Sequence, residues 1–129
     1  MKAQWETFEG RQYQHRARRE PRVTLGRKGT FYLNGDAFEV LGEPGAVELL
    51  YDGNRRIIGL KPTDPRKLNA FVIKHHGTGR YKRISAAAFC QHYRLRLDGT
   101  YLFDGVDLDH DGVLLLDMAK MITVGRGAR

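Results

Sequence analysis

Residues 23–33 carry the sequence VTLGRKGTFYL, which sets the fold class of the chain. Apolar and polar side chains alternate with a period of two in residues 23–25 and again in residues 31–33. This alternation is typical of β-strands that bury one face. Gly26 and Gly29 lie between the two runs and predict a tight turn. The stretch is therefore predicted to form an antiparallel hairpin.

The segment after this hairpin predicts a short helix and a second hairpin. Asn34 is a suitable N-cap, because its side-chain oxygen can accept a free backbone N–H of the first turn. Gly42 can end the helix in a left-handed conformation. Residues 46–51 and 55–61 are predicted strands joined by an Asp-Gly turn. The first half therefore has the order strand, strand, helix, strand, strand.

The second half of the chain repeats this order. Residues 70–74 and 80–84 are predicted strands around a glycine-rich turn, and Ser85 takes the N-cap role of Asn34. The pairs Leu-Asn and Ala-Phe of the first half recur as Ile-Ser and Ala-Phe 51 residues later. A last hairpin is predicted from residues 100–103 to residues 113–116, where the offset between the halves grows to 56.

These elements predict a mainly β (α+β) protein with two tandem repeats. Each half is too small to bury both faces of its hairpins, so we expect the halves to form one pseudo-symmetric barrel. The predicted organisation is a basic N-terminal arm (1–22), a first repeat (23–62), a linker (63–69), a second repeat (70–118) and a basic C-terminal tail (119–129). In the arm, Trp5 is expected to pack on the domain.

The repeated unit resembles the AbrB-type swapped-hairpin family, and its double copy is similar to the tandem arrangement of MraZ-type proteins. The resemblance is carried by residues 23–25, Gly29, Phe31, Leu33, residues 37–38, residues 41–42 and the hairpin from Val47 to Pro62. It implies interleaved hairpins in a small barrel and duplex DNA binding through basic residues, as in transcriptional regulators. The chain departs from the family pattern at Thr30, where Arg is usual, and at Asn34 and Ser85, where Pro is usual.

Charge is distributed unevenly along the chain. The formal net charge is +7, with 22 Lys and Arg residues against 15 Asp and Glu residues. Residues 98–117 hold six aspartates and no Lys or Arg, so the rest of the chain is strongly basic. A positive field raises the local concentration of polyanions, which favours a nucleic-acid partner.

The candidate phosphate contacts are basic side chains of the arm and of the two turns. They are Arg18, Arg19, Arg22, Arg27, Lys28, Arg80, Lys82 and Arg83. His75 and His76 lie beside the second turn, and Tyr32 and Tyr81 are candidates for stacking on bases. If the repeat holds, the two turns are equivalent and form one basic face. The alternative interpretation is that turns are charged because they face water.

The acidic stretch permits three interpretations. Asp107, Asp109 and Asp111 have the spacing that opens a calcium loop, but Met118 stands where the bidentate Glu is required. The second interpretation is a solvated hairpin turn. The third is an acidic surface that binds a basic protein partner, and this makes a protein interaction module without a nucleic-acid role the alternative function.

Nothing in the sequence assigns a reaction. Cys90 is the only cysteine, and His92 lies on a different face of the predicted helix. A base such as His110 would have to come from elsewhere for nucleophilic catalysis. Adjacent His75 and His76 lack a third metal ligand. No phosphate-binding or dinucleotide-binding glycine motif is present.

These observations predict a small, non-enzymatic DNA-binding protein without a metal or cofactor. The third alternative is a barrel with an enzymatic or ligand-binding pocket. Such a pocket requires convergent polar groups, and the sequence does not indicate them. No apolar run approaches 18 residues, and the first residues lack the apolar segment of a signal peptide, so a cytoplasmic protein is expected. We expect it to be a monomer or a homodimer.

Overall fold

The computed structural model describes residues 3–5 and 20–124. Within them, two short helices occupy Gly35–Val40 (α1) and Ala87–His92 (α2), and a 3-10 helix occupies Met118–Lys120. The strands are Val23–Leu25 (β1), Thr30–Leu33 (β2), Ala46–Asp52 (β3), Ile57–Thr63 (β4), Phe71–Val72 (β5), Lys74–His75 (β6), Lys82–Ser85 (β7), Tyr101–Phe103 (β8), Asp107–Leu108 (β9), Leu114–Asp117 (β10) and Met121–Thr123 (β11). The mainly β class with two short helices is confirmed.

The strands form two antiparallel sheets. Sheet A has the order β11-β8-β1-β2-β7-β6, and sheet B has the order β5-β3-β4-β10-β9. Strand β11 lies within the stretch assigned to the C-terminal tail. In the described residues both sheets keep free edges, so the expected closed barrel is wrong. The edge strands are two or three residues long and therefore offer too little backbone to join one sheet to the other.

One predicted strand pairing is also wrong, and one predicted strand is divided. Strand β8 pairs with β1 and β11 in sheet A, whereas β10 pairs with β4 and β9 in sheet B. The predicted hairpin from residues 100–103 to 113–116 therefore does not form, because two-residue β9 takes the place beside β10. The predicted strand at residues 70–74 is divided into β5 and β6, which belong to different sheets.

The inner faces of the two sheets and the two helices share one core. Val23, Leu25, Phe31, Leu33 and Ile84 from sheet A are fully buried with Ile58, Leu60 and Leu116 from sheet B. Buried and more exposed side chains alternate along β1, β2 and β10, so the intervening residues belong to the outer faces of the two sheets. Trp5 is 89% exposed, which contradicts its expected packing.

The two helices begin differently. Asn34 caps α1, because its Oδ1 accepts a hydrogen bond from the backbone N–H of Ala37 at 2.9 Å. Gly42 ends that region with φ +90°, as predicted. In α2 the N-cap is Ala86, without a side-chain cap bond, and Ser85 is the last residue of β7, so the predicted Ser85 cap is wrong.

Gly29 joins the first hairpin to α2. Its φ is +86°, and a Cβ at this position would lie 2.8 Å from Cα of Ala87. Its carbonyl accepts a hydrogen bond from the backbone N–H of Ala86 at 2.8 Å. Glycine is therefore required here both for the left-handed turn and for the close approach of the helix.

Candidate nucleic-acid interface

The outer face of sheet A carries a row of side chains that crosses four strands. Thr24 pairs with Tyr32, Tyr32 pairs with Arg83, and Arg83 pairs with Lys74. The strand neighbours of Thr24 and Tyr32 are buried, as is Ile84 next to Arg83, so this row faces outward. At about 4.8 Å between strands, the row spans about 14 Å. Polar, aromatic and cationic groups follow one another along it.

The β6–β7 hairpin, residues 74–83, supplies the basic end of this row. It contains four Lys or Arg residues, two histidines and no acidic residue. The His76 ring lies against the Tyr32 ring, with centroids 4.7 Å apart and planes tilted by 55°. Lys74 is exposed and has no hydrogen bond or ion pair to another described residue. It was missed as a candidate, because its place opposite Arg83 depends on strand register.

Arg83 and Lys82 are held by contacts with neighbouring elements. Both side chains are half-buried. The Arg83 guanidinium donates a hydrogen bond to the backbone carbonyl of His75. Lys82 Nζ lies 3.0 Å from Nδ1 of His75 and 4.9 Å from the centroid of the Phe38 ring. These contacts orient two of the predicted phosphate ligands and reduce the solvent-facing surface of Lys82.

Arg80 is engaged by acidic residues of α1. Its Nη2 lies 3.3 Å from Oε2 of Glu39 and 3.8 Å from Oδ1 of Asp36. The side chain remains 65% exposed, so the pairs contribute little to stability. They do offset its charge, which reduces the attraction that Arg80 would exert on a phosphate.

The other candidates lie away from this hairpin. Arg27 and Lys28 are exposed in the β1–β2 turn, where neither has a polar partner among the described residues. Arg22 Nη2 lies 3.5 Å from Oε1 of Glu20. Arg18 and Arg19 lie outside the described residues.

The register of sheet A separates the two basic turns. Thr30, at the start of β2, pairs with Ser85, and Leu33, at its end, pairs with Lys82. The β1–β2 turn therefore lies at one end of the strands, and the β6–β7 turn lies at the other end. The expectation that the two turns form one basic face is wrong, because antiparallel pairing of β2 with β7 places them apart.

The outer face of sheet B is different in character. Leu50, Gly59 and Leu115 pair across three strands and form the floor of an open groove of about 720 Å³. The β3–β4 turn closes one end of the groove, and Asp109 and Asp111 in the β9–β10 turn close the other. Sequence periodicity assigned these strands but gave no sign of the groove.

The other candidate chemistries gain no geometric support. Asp109 Oδ1 accepts hydrogen bonds from the backbone N–H groups of Asp111 and Val113, as in a polar turn. Within residues 3–5 and 20–124, no group of three His, Cys, Asp or Glu side chains is placed to hold a metal ion. Cys90 is buried, and burial raises the pKa of its thiol, which disfavours the nucleophilic thiolate.

Comparison with known proteins identified no matching family model, curated protein or solved structure. A separate observation concerns membranes. None of the helices in the described ranges is long and apolar enough to cross a bilayer.

Proposed function

We propose that this chain is a small, non-enzymatic protein that binds duplex DNA through the β6–β7 hairpin and the adjoining outer face of sheet A. The observation that carries this proposal is the row from Tyr32 through Arg83 to Lys74, with the His76 ring packed against Tyr32. The row combines cations with aromatic rings on a rigid sheet. The β6–β7 hairpin lies within residues 65–97, which hold eight Lys or Arg residues and no acidic residue.

The two cations have different roles in this proposal. The Arg83 guanidinium is oriented by its hydrogen bond to the His75 carbonyl and presents its remaining N–H groups to phosphate oxygens. Lys74 is a mobile point charge that neutralises a neighbouring phosphate. The Tyr32 and His76 rings provide a platform against the sugars between these phosphates. These contacts position the sugar-phosphate backbone of the DNA and carry no base preference by themselves.

A two-fold relation between the halves is part of the proposal. Tyr32 pairs with Arg83 and Gly59 pairs with Leu115, and each pair joins positions that the repeat makes equivalent, with offsets of 51 and 56 residues. A two-fold axis brings equivalent positions opposite each other. Each half also contributes one hairpin to each sheet. These pairings support a swapped-hairpin arrangement of the AbrB or MraZ type without barrel closure.

The test is a titration of fluorescent mixed-sequence duplex DNA at several salt concentrations. We expect affinity to fall linearly with log salt, with a slope of about 0.9 per phosphate contacted. The double variant Lys74→Ala and Arg83→Ala is expected to lower the magnitude of this slope by about two.

A control variant separates local contacts from net charge. Lys67 and Lys120 are exposed and lie outside the row, so Lys67→Ala with Lys120→Ala makes the same charge change elsewhere. This control is expected to retain the slope. Absence of binding at low salt, or an equal loss in both double variants, contradicts the proposed site.

A further inference from the structure

We propose that the outer face of sheet B is an interface between two copies of this chain. The surface is defined by the groove floor at Leu50, Gly59 and Leu115 and by the two turns that close its ends. It belongs to the opposite sheet from the proposed DNA site, so the two proposals are independent.

The floor of the groove is apolar and open to solvent. Leu50 is 41% exposed, and Leu115 is half-buried beside it. Gly59 lies between them, and a Cβ at this position would approach Cγ1 of Val113 to 2.9 Å. Gly59 is buried beneath the side chains of Val113 and Leu50, and glycine is required at the centre of the face for this close packing. An exposed apolar floor is a feature of surfaces that are covered by a partner.

Both ends of the groove carry charged side chains, with Arg55 and Asp52 at the β3–β4 turn and two aspartates at the β9–β10 turn. At one end, Arg55 is 76% exposed, and its Nε lies 3.7 Å from Oδ2 of Asp52. At the other end, Asp111 is 73% exposed, and Asp109 lies beside it. Lys61 lies on the Asp109 side of Gly59, and Asp52 lies on the Arg55 side.

This arrangement makes the face complementary to itself. In a symmetric dimer, the same patch of each subunit contacts its counterpart across a two-fold axis. An axis in the plane of contact and perpendicular to the groove places the floors of two copies together. It also places the Asp109 and Asp111 end of each copy against the Arg55 and Asp52 end of the other. Asp111 of each copy then lies against Arg55 of the other copy, and Lys61 of each copy faces Asp52 of the other. This charge pattern selects a second copy as the occupant.

The test is a charge-exchange experiment with sedimentation equilibrium over roughly 1 to 200 µM protein, a range that detects micromolar association. Wild-type protein is expected to form dimers that weaken as salt is raised, because the ion pairs are exposed. Arg55→Glu and Asp111→Lys are each expected to be monomeric alone. An equimolar mixture of the two variants is expected to form a heterodimer, since every contact again joins opposite charges.

A second pair of variants tests the floor. Leu50→Asp is expected to abolish dimers, whereas Leu68→Asp, at a 98% exposed position outside the floor, is expected to leave them intact. Thermal melts verify that each variant is folded. A wild-type chain that stays monomeric at 200 µM in low salt overturns the proposal, as does a variant mixture that stays monomeric. DNA titration of Leu50→Asp reports on sheet A separately, so failure of one proposal leaves the other testable.

Discussion

The outer faces of sheets A and B differ in chemistry, although both are built from antiparallel strands over one core. The face of sheet A presents Tyr32, Arg83 and Lys74, whereas the face of sheet B presents Leu50 and Leu115 around Gly59. The inner faces of both sheets are uniformly apolar. Outward positions are therefore free to diverge while the inward positions maintain the fold. The difference teaches that one two-layer scaffold can carry two unrelated surfaces.

The largest effect on stability is expected from a substitution in the core that the two sheets share. Phe31 is fully buried, and its truncation leaves a cavity between the sheets. We expect Phe31→Ala to lower the free energy of unfolding by about 3–5 kcal/mol, measured by urea unfolding. DNA binding and self-association are expected to fail together. Leu68→Ala, at an exposed position, is the control, and a loss below about 1 kcal/mol for Phe31→Ala contradicts the shared core.

The second-largest effect on stability is expected at the N-cap of α1. Asn34 Oδ1 accepts hydrogen bonds from the backbone N–H groups of Arg22 and Ala37, and its Nδ2 donates to the Glu20 carbonyl. Asn34→Ala is expected to lower the free energy of unfolding by about 2 kcal/mol, because the cap and its links to the incoming chain are lost.

Ser85→Ala is the matched variant for Asn34→Ala. Ser85 has no cap bond to α2, so we expect its replacement to change stability by less than about 0.5 kcal/mol. Thermal unfolding of the two variants under identical conditions measures the difference. Equal losses would mean that the two helices start in the same way.

The reactivity of the Cys90 thiol tests whether this side chain is buried in the core. Burial raises the pKa of its thiol in the folded chain, so folding disfavours the thiolate. The stability linked to this group is present at lower pH and is lost as pH rises above the ordinary range of a thiol. Iodoacetamide alkylation at pH 8 is expected to be about tenfold or more slower in the native protein than in urea. Equal rates contradict the burial of Cys90.

The smallest expected effect is at the far end of sheet A. Arg27→Ala with Lys28→Ala removes two exposed charges in the β1–β2 turn. If the β6–β7 hairpin is the DNA site, affinity is expected to fall only about twofold through the weakened long-range field. The salt slope in the fluorescence titration is expected to stay unchanged. A slope reduced by about two would extend the site across the sheet.

The sequence predicted those parts of the fold that have a strong local pattern. Alternation identified β1 and β2, and the side-chain chemistry of Asn34 identified the start of α1. It failed at β9, because two residues within an acidic stretch show no periodicity. It also failed at Ser85, because β7 extends through that residue by pairing with Thr30, which is distant in sequence.

The candidate site was predicted less completely for the same reason. Basic composition pointed to Arg80 and Arg83, but only tertiary contacts show that Glu39 engages the first and the His75 carbonyl orients the second. Lys74 becomes relevant only through its register with Arg83. The groove at Gly59 depends on three strands brought together from separate parts of the chain.

The amide proton of Ala86, which donates a hydrogen bond to the Gly29 carbonyl, can be followed by hydrogen–deuterium exchange. This hydrogen bond joins the start of α2 to the first hairpin, so this amide is exposed to solvent when α2 and the hairpin separate. Its hydrogen–deuterium exchange therefore measures the free energy of that separation. An exchange free energy equal to the global free energy of unfolding means that α2 and the hairpin separate only when the whole chain unfolds, and a smaller value means that they separate locally.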